Sequence, residues 1–532
     1  MRTSSGRSSS NKKPYLPLIL AVIILATITP TLSVEAGVPN QVSLAVVCME
    51  FPDTPHRINV ETIRTNAIDK VAAFYKEMSY GKLVVTGDVF GWYMMPLPLS
   101  KFDECNWTSP WEEVHRLTDL ALLTAKPMLP QSYSFFFFVF SGDVWGYALP
   151  DEAVAALNER DTWNAFAHEV GHLLGLPDLY SYEARAKDEF GGVFVGSWDI
   201  MSDSSYGTSV SAYDRIKLGW ISENQTFKAK WNSWNSSATI SPIETGQGIL
   251  AFMVETRIEK NYYLVEVRQG RGVLITCIDE TKRPGRGIVT AMDAHPNSTT
   301  YIWEELSDAL FNLWEGENPV YIDSDQGFAI ILLARTGPAY TVSIATPNLG
   351  RKALEAHYSI LSANASVQKS WRELRVEGLE QARTALRSSI AAYQEARFGD
   401  SIKLAETAKA LADKAVIPET YYDAKTDLEK TEERLMEIWS KRLESVEAVA
   451  KCNEAAAELH KAKRLFEELQ FESTLQHLKR CNELMSGSER LERSSQDMNR
   501  IMLIGTGAIG SVVIASGLML RRKREHAPSQ HV

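Results

Sequence analysis

The segment His168-Glu169-Val170-Gly171-His172 constrains the chain most, because it places two histidines four residues apart. On an α-helix this spacing is about one turn, so both imidazoles lie on one face and can bind the same metal ion. Asp161 or Thr162 can cap such a helix at its start, and Gly175 can end it. The sequence therefore predicts a helix that carries a zinc site.

Two acidic residues complete the predicted site. Glu169 lies about 100° around the helix from His168, so it can hold a water molecule as a general base without binding the metal itself. Gly175 can adopt the left-handed conformation that returns the chain toward the helix, which makes Asp178 the predicted third ligand. Ligands from His168, His172 and Asp178 would leave a fourth position open for water, as in catalytic zinc sites.

Two other interpretations of this segment stay open. An ordinary amphipathic helix can contain two histidines on its polar face by chance. A metal site can also serve structure alone, but Glu169 would then have no evident role.

The N-terminal segment has the pattern of a secretory signal. Basic residues precede an apolar run from about Leu16 to Ile28, and Val34-Glu35-Ala36 offers small residues suited to signal peptidase. Residues 1–36 are therefore predicted to be a signal peptide, with an uncleaved N-terminal anchor as the alternative.

The C-terminal segment predicts a membrane anchor. Ile501 to Leu520 is an uncharged run long enough to span a bilayer as a helix, and the basic residues 521–524 follow it. This predicts a transmembrane helix over 500–520, a cytoplasmic basic tail over 521–532 and a single-pass protein of the cell membrane with an extracellular catalytic domain. A buried core helix is the alternative. Small residues at Gly507, Ser511 and Ala515 would let two such helices pair as a homodimer.

Composition narrows the class of partner. The formal net charge is −11 and the folded part has no basic stripe, which argues against nucleic acid. Among the 5 cysteines there is no CxxC pair, so neither a cysteine zinc site nor a disulfide scaffold is indicated. Glycosylation sequons begin at Asn106, Asn224, Asn235, Asn297 and Asn364, all within the portion predicted to lie outside the cell.

A chain of 532 residues is too long for one hydrophobic core. Its residue composition and the spacing of its apolar residues change twice along the sequence, which indicates three domains. Residues 37–222 mix helical spacing with apolar runs that predict buried strands, such as Phe135–Phe140, and they predict an α/β catalytic domain. Short β-rich runs over 223–348 predict a β-sandwich-like domain, in which Asp323-Ser324-Asp325-Gln326-Gly327 could bind Ca²⁺ or form a solvated turn. Residues 350–499 are poor in Gly and Pro, and the spacing of Tyr393 and Phe398 recurs at Phe466 and Phe471, which predicts a helical stalk with a duplicated hairpin.

Four segments together resemble a known family. They are the motif from His168 to Tyr180 and the segments 74–83 (with Gly91-Trp92-Tyr93), 196–202 and 211–220, and the segments 262–268 and 272–275 extend the resemblance beyond them. The chain resembles the immune inhibitor A-like metalloproteases, relatives of the metzincins that have Asp in place of the third His. The resemblance covers about Val42 to Asp293 and implies that Met201 forms a turn beneath the two histidines. No inhibitory propeptide is visible before the first strand, which departs from the family pattern.

Motif and resemblance together predict a membrane-anchored extracellular zinc metalloendopeptidase that hydrolyses protein or peptide substrates with a zinc-activated water. The expected fold class is multidomain: a zincin-like α/β (α+β) catalytic domain, a β-sandwich-like domain, an α-helical stalk and a C-terminal transmembrane helix. The alternative function is a catalytically silent, protease-like surface adhesion or scaffold protein.

Overall fold

The computed structural model describes residues 40–102, 111–129, 133–186, 194–205, 207, 209–298, 306–313 and 316–499. These residues group into two compact units. The first contains the described residues up to Asp178 together with those of Trp198–Ser222, and the second contains the described residues of Leu179–Ser197 and those from Glu223 onward. Residues 179–197, which the sequence interpretation assigned to a domain over 37–222, thus group with the second unit.

Within its described residues, the first unit has five strands and five α-helices, together with one π-helical stretch, Thr65–Lys70. In chain order they are β1 (Gln41–Glu50), α1 (Val60–Arg64), α2 (Val71–Met78), β2 (Val84–Met94), α3 (Trp111–Ala125), β3 (Phe135–Phe140), β4 (Tyr147–Leu149), β5 (Val154–Asn158), α4 (Trp163–Leu173) and, after the short helix α5 (Tyr182–Ala186) of the second unit, α6 (Ala212–Lys217).

A largely parallel sheet with the strand order β2-β1-β3-β5-β4 organises this unit. β1 and β3 pair in parallel through almost entirely buried residues, as continuous apolar runs in a parallel sheet require. The short strand β4 runs antiparallel to β5 and forms one edge. Helix α4, which contains His168 and His172, follows β5 directly. It therefore begins at the carboxyl end of that strand.

The described residues of the second unit form two sheets and six long helices. Its strands are β6 (Thr226–Lys230), β7 (Ser237–Ile240), β8 (Ala251–Glu255), β9 (Asn261–Arg268), β10 (Gly272–Asp279), β11 (Val289–Ala291), β12 (Val320–Asp323), β13 (Phe328–Thr336) and β14 (Ala339–Ala345). Its long helices are α7 (Pro347–Arg372), α8 (Leu379–Gln394), α9 (Phe398–Lys414), α10 (Glu419–Ser440), α11 (Val446–Glu467) and α12 (Phe471–Asn499).

The sheets β11-β10-β9-β8-β6 and β12-β13-β14-β7 share one hydrophobic core with the first three of these helices. Phe328 and Ile330 of β13 belong to the same buried cluster as Ala356 of α7, Tyr393 of α8 and Ala405 of α9. Helices α10 to α12 have a separate core of their own. The helical region that begins at Pro347 therefore consists of two parts, and only the second part has a core free of strands.

The two helical parts repeat one turn. Ala396, between α8 and α9, has φ 57°, and Leu469, between α11 and α12, has φ 62°. Beside these turns the rings of Tyr393 and Phe398 lie 5.1 Å apart, and those of Phe466 and Phe471 lie 5.5 Å apart. The residues whose spacing repeats in the sequence thus build equivalent hairpin turns.

The predicted membrane anchor requires a correction. Across the described ranges, no helix is long and apolar enough to cross a bilayer, since the long helices α7 to α12 carry many charged side chains. The fold class that ended in a transmembrane helix is therefore replaced by a mixed α/β structure with several sheets. The predicted location as a single-pass protein of the cell membrane with an extracellular catalytic domain is corrected on the same finding. Segments 1–36, 500–520 and 521–532 lie outside the described residues.

Candidate metal centre

Helix α4 positions three of the four predicted site residues, His168, Glu169 and His172, within one turn. The helix ends because Gly175 adopts φ +95°, and the Leu176 amide then donates to the Gly171 carbonyl over 3.0 Å. This closed turn directs the following residues back along the helix.

The returning chain brings Asp178 to both histidines. Its Oδ1 lies 3.3 Å from Nε2 of His168 and 3.2 Å from Nε2 of His172, and the two Nε2 atoms are 3.1 Å apart. Ligands at about 2.0–2.1 Å from a tetrahedral zinc ion are separated by about 3.3 Å, so the donor set fits that ion. Within the described part of the chain, no other group of three His, Cys, Asp or Glu side chains meets in this way.

Main-chain carbonyls fix the orientation of both imidazoles. The Nδ1–H of His168 donates to the Ile200 carbonyl over 2.9 Å, and that of His172 donates to the Leu176 carbonyl over 2.9 Å. Each hydrogen bond assigns the proton to Nδ1 and leaves the lone pair of Nε2 facing the other ligands. Both rings are therefore arranged to bind a metal through Nε2.

In the metal-free protein, the proximity of His172 and Asp178 shifts the pKa of both side chains. Burial by itself lowers the pKa of His172, but the hydrogen bond and charge of Asp178 outweigh it and raise that pKa to about 9. Burial opposes the ionisation of Asp178, but hydrogen bonds from His168 and His172 lower its pKa well below the usual range. A proton shared with an aspartate thus occupies the place where a cation would bind.

Glu169 is buried beside the three candidate ligands, with 7% of its surface exposed. The space next to its carboxylate depends on Gly146, which comes just before edge strand β4. A Cβ atom at Gly146 would lie 3.2 Å from Oε1 of Glu169 and 2.5 Å from Leu157. The sequence interpretation gave Gly146 no role, because only the tertiary structure brings it next to the glutamate.

Met201 lies beneath the helix, where the family resemblance implied a turn. A Cβ atom at Gly171 would lie only 2.5 Å from the Met201 sulfur and 3.2 Å from the Tyr75 hydroxyl oxygen. The Tyr75 hydroxyl donates to the Ala167 carbonyl over 2.6 Å, and burial raises its pKa well above the usual value. Glycine between the two histidines thus lets a methionine and a tyrosine contact the helix directly.

Two supporting residues were not identified from the sequence, although both lie in segments that carry the family resemblance. Tyr75 lies in the segment 74–83, and Asp199 lies two residues before Met201. Asp199 is fully buried, and its carboxylate accepts hydrogen bonds from main-chain amides. An aspartate in the turn 199–202, which contains Met201 and is called the methionine turn below, was the sequence signal for such a residue. Only the folded chain shows which groups its carboxylate binds.

The predicted calcium segment has contacts within its own neighbourhood. Asp323 accepts a hydrogen bond from the Tyr263 hydroxyl over 2.6 Å and another from the Gln326 amide over 2.8 Å. These bonds close the turn between β12 and β13. Binding of Ca²⁺ there stays a prediction.

Comparisons with protein-family models and with curated proteins found no match to this chain. The resemblance to immune inhibitor A-like proteases therefore stays a prediction based on the motifs.

Proposed function

We propose that this protein is a zinc-dependent endopeptidase whose metal is bound by His168, His172 and Asp178. The observation that carries the proposal is the convergence of two imidazole nitrogens and one carboxylate oxygen within 3.1–3.3 Å, with Glu169 buried beside them. Three protein ligands and a neighbouring carboxylate are typical of a catalytic rather than a structural zinc site. The predicted cofactor is Zn²⁺ and the predicted substrate is a protein or peptide.

Each residue has a separate task in this mechanism. Zinc, when bound, would supply a Lewis acid that polarises the substrate carbonyl and acidifies a water molecule. Glu169 would accept a proton at its carboxylate from the water that forms a bond to the substrate carbonyl carbon, and would then give that proton to the amine released when the C–N bond breaks, as a general base and then a general acid. Its burial beside the ligands keeps the carboxylate close to the reacting groups and shields it from bulk water. The carbonyls of Ile200 and Leu176 keep the ligand rings oriented throughout.

Replacing Glu169 by Gln tests this assignment. The full chain is incubated with an unfolded protein, and fragments are counted by the appearance of new amino termini. We expect turnover to fall about 10²–10⁴-fold, because general acid–base catalysis typically contributes that much. Bound zinc should be unchanged, because Glu169 is not a ligand.

The matched control is Glu112→Gln, which makes the same chemical change on an exposed face of α3. This variant should hydrolyse the substrate at the wild-type rate. Wild-type turnover in Glu169→Gln, or no hydrolysis by the zinc-loaded wild-type chain, would contradict the proposed function.

A further inference from the structure

We propose that Asp199 is a positioning residue for the metal centre. Its carboxylate holds the turn 199–202, and this turn presents the Ile200 carbonyl that orients His168. The inference rests on the proposed zinc site, but it does not depend on which reaction the site performs.

The Asp199 carboxylate is fully buried and joins two parts of the loop. Its Oδ1 accepts from the Met201 amide over 2.8 Å, and its Oδ2 accepts from the Ser211 amide over 2.7 Å. The first bond closes the methionine turn on itself, and the second ties that turn to the start of α6. Charge-assisted hydrogen bonds of this kind are about twice as strong as neutral ones.

The main chain of Asp199 strengthens the same turn. Its carbonyl accepts from the Ser202 amide over 3.0 Å and from the Asp203 amide over 3.1 Å. Ile200, between the clamped residues, donates its own amide to the Ser209 carbonyl over 2.9 Å. The Ile200 carbonyl is therefore held from both sides and has little freedom to turn away from His168.

The two histidines differ in how they obtain their orienting carbonyl. His172 uses Leu176, which the end of its own helix places four residues away. His168 uses Ile200, which lies 32 residues away in the sequence. Orientation of His168 consequently depends on tertiary structure, and Asp199 is the side chain that fixes that structure.

The substitution Asp199→Asn separates positioning from bulk packing. It keeps the size of the side chain and one acceptor oxygen, but its amide group must face one of the two main-chain N–H groups. The turn 199–202 should become less rigid. The Ile200 carbonyl would then no longer be held in place as the acceptor for the Nδ1–H of His168. Loss of such an orienting partner typically costs about 10–100-fold in metal affinity.

Glu159 supplies a matched control. It is 4% exposed and likewise accepts from two main-chain amides, those of Arg57 and Ile58, over 2.7 Å and 2.8 Å. Both amides bind the same oxygen, Oε2, so Glu159→Gln removes a buried, amide-bound negative charge in the same unit without touching the turn 199–202. A general loss of stability affects both variants, whereas a positioning effect affects only Asp199→Asn.

The experiment compares wild type, Asp199→Asn and Glu159→Gln in three measurements. Zinc affinity is measured by competition with a chromophoric chelator, coordination geometry by the visible absorption of the Co²⁺-loaded protein, and stability by urea unfolding of the metal-free protein. We expect Asp199→Asn to bind zinc about 10–100-fold more weakly with an altered Co²⁺ spectrum. Glu159→Gln should keep both wild-type values. Unchanged affinity and spectrum in Asp199→Asn, or equal losses in both variants, would overturn the inference.

A second variant removes the donor, rather than the acceptor, of one of the hydrogen bonds that hold the turn 199–202. Ser211 has φ −69°, which proline adopts readily, so Ser211→Pro removes the N–H that binds Asp199, and the ring carbon that replaces the hydrogen displaces Oδ2 of the carboxylate. It should also weaken zinc binding and alter the Co²⁺ spectrum. A Ser211→Pro variant with wild-type zinc affinity and a wild-type Co²⁺ spectrum would contradict the positioning role of Asp199. A wild-type chain that binds zinc but cleaves no peptide would refute the proposed function and leave this inference standing.

Discussion

The unit that contains α4 and the helical region from α7 to α12 bury polar side chains in different ways. In the first, buried charged groups such as Asp199, Asp214 and Arg215 lie in or near the methionine turn and α6. In the second, many buried polar groups are hydroxyls that donate to main-chain carbonyls, as Ser389 does to Ser401 over 2.7 Å and Ser488 to Ala448 over 2.7 Å.

This difference indicates where the chemistry of the protein lies. A buried hydroxyl bonded to a carbonyl is a small adjustment to helix packing. A buried charge is expensive unless partners or a metal ion compensate it, and clustered charges of this kind are typical of functional sites. The first unit should therefore respond to metal ions, whereas the helical region should respond only through its packing.

The largest expected effect on metal binding is that of Asp178→Ala. Because Asp178 would be a direct ligand, its loss should weaken zinc binding by more than the about 10–100-fold typical of supporting partners. Zinc content after dialysis against a weak chelator measures this. Asp178→His supplies another zinc-competent ligand and should retain part of the affinity. Stoichiometric zinc in Asp178→Ala would show that the third ligand lies elsewhere.

The pH dependence of zinc binding is the next largest effect. The pKa of His172 is raised from 6.5 to about 9, so in the metal-free protein its interaction with Asp178 contributes stability below about pH 6.5. That contribution is lost as the pH rises through about 9. Zinc must displace the same proton, so its apparent affinity should rise about tenfold per pH unit in this window and then level off.

Competition titrations between pH 6.5 and 9 measure this slope, since the raised pKa of His172 defines that range. Asp178→Asn serves as the comparison, because removing the carboxylate charge should return the pKa of His172 toward its ordinary value. A wild-type affinity that is flat across the range would show that no such proton is displaced.

A smaller effect is expected on the free energy of unfolding, which glycine-to-alanine substitutions in α4 and in α12 should change in opposite directions. In Gly171→Ala the added methyl group would contact the Met201 sulfur at 2.5 Å, and overpacking of this kind should lower the free energy of unfolding by about 1–3 kcal/mol. Gly487→Ala in α12 meets only the flexible Lys451 side chain at 3.1 Å. That variant should gain up to about 1 kcal/mol from helix propensity. Urea unfolding compares them, and opposite signs are the expected result.

Local pattern was sufficient for much of the fold. Phe135–Phe140 is a strand as predicted, because a continuous apolar run fits a buried parallel strand. The histidine helix was predicted within 161–175 and is observed over Trp163–Leu173. Repeated aromatic spacing likewise predicted a duplicated hairpin, whose turns the structure places at Ala396 and Leu469.

Contacts between distant segments could not be derived in this way. An amphipathic pattern shows that α7 to α9 bury one face, but not that this face shares a core with β13. Helix spacing indicated His168 and His172 as ligands, yet the carbonyl that orients His168 comes from Ile200. Asp199 and Tyr75 likewise obtain their roles only when the loop and α2 meet α4, since these contacts have no sequence period.

Zinc stoichiometry of the purified full chain tests the central claim most directly. The wild-type protein, dialysed against a weak chelator, should retain one zinc ion per chain, because the Nε2 atoms of both histidines and Oδ1 of Asp178 lie within 3.1–3.3 Å of one another. His172→Ala should lose that zinc while its metal-free unfolding stays cooperative. A wild-type chain without zinc, or a His172→Ala chain that keeps it, would contradict the account.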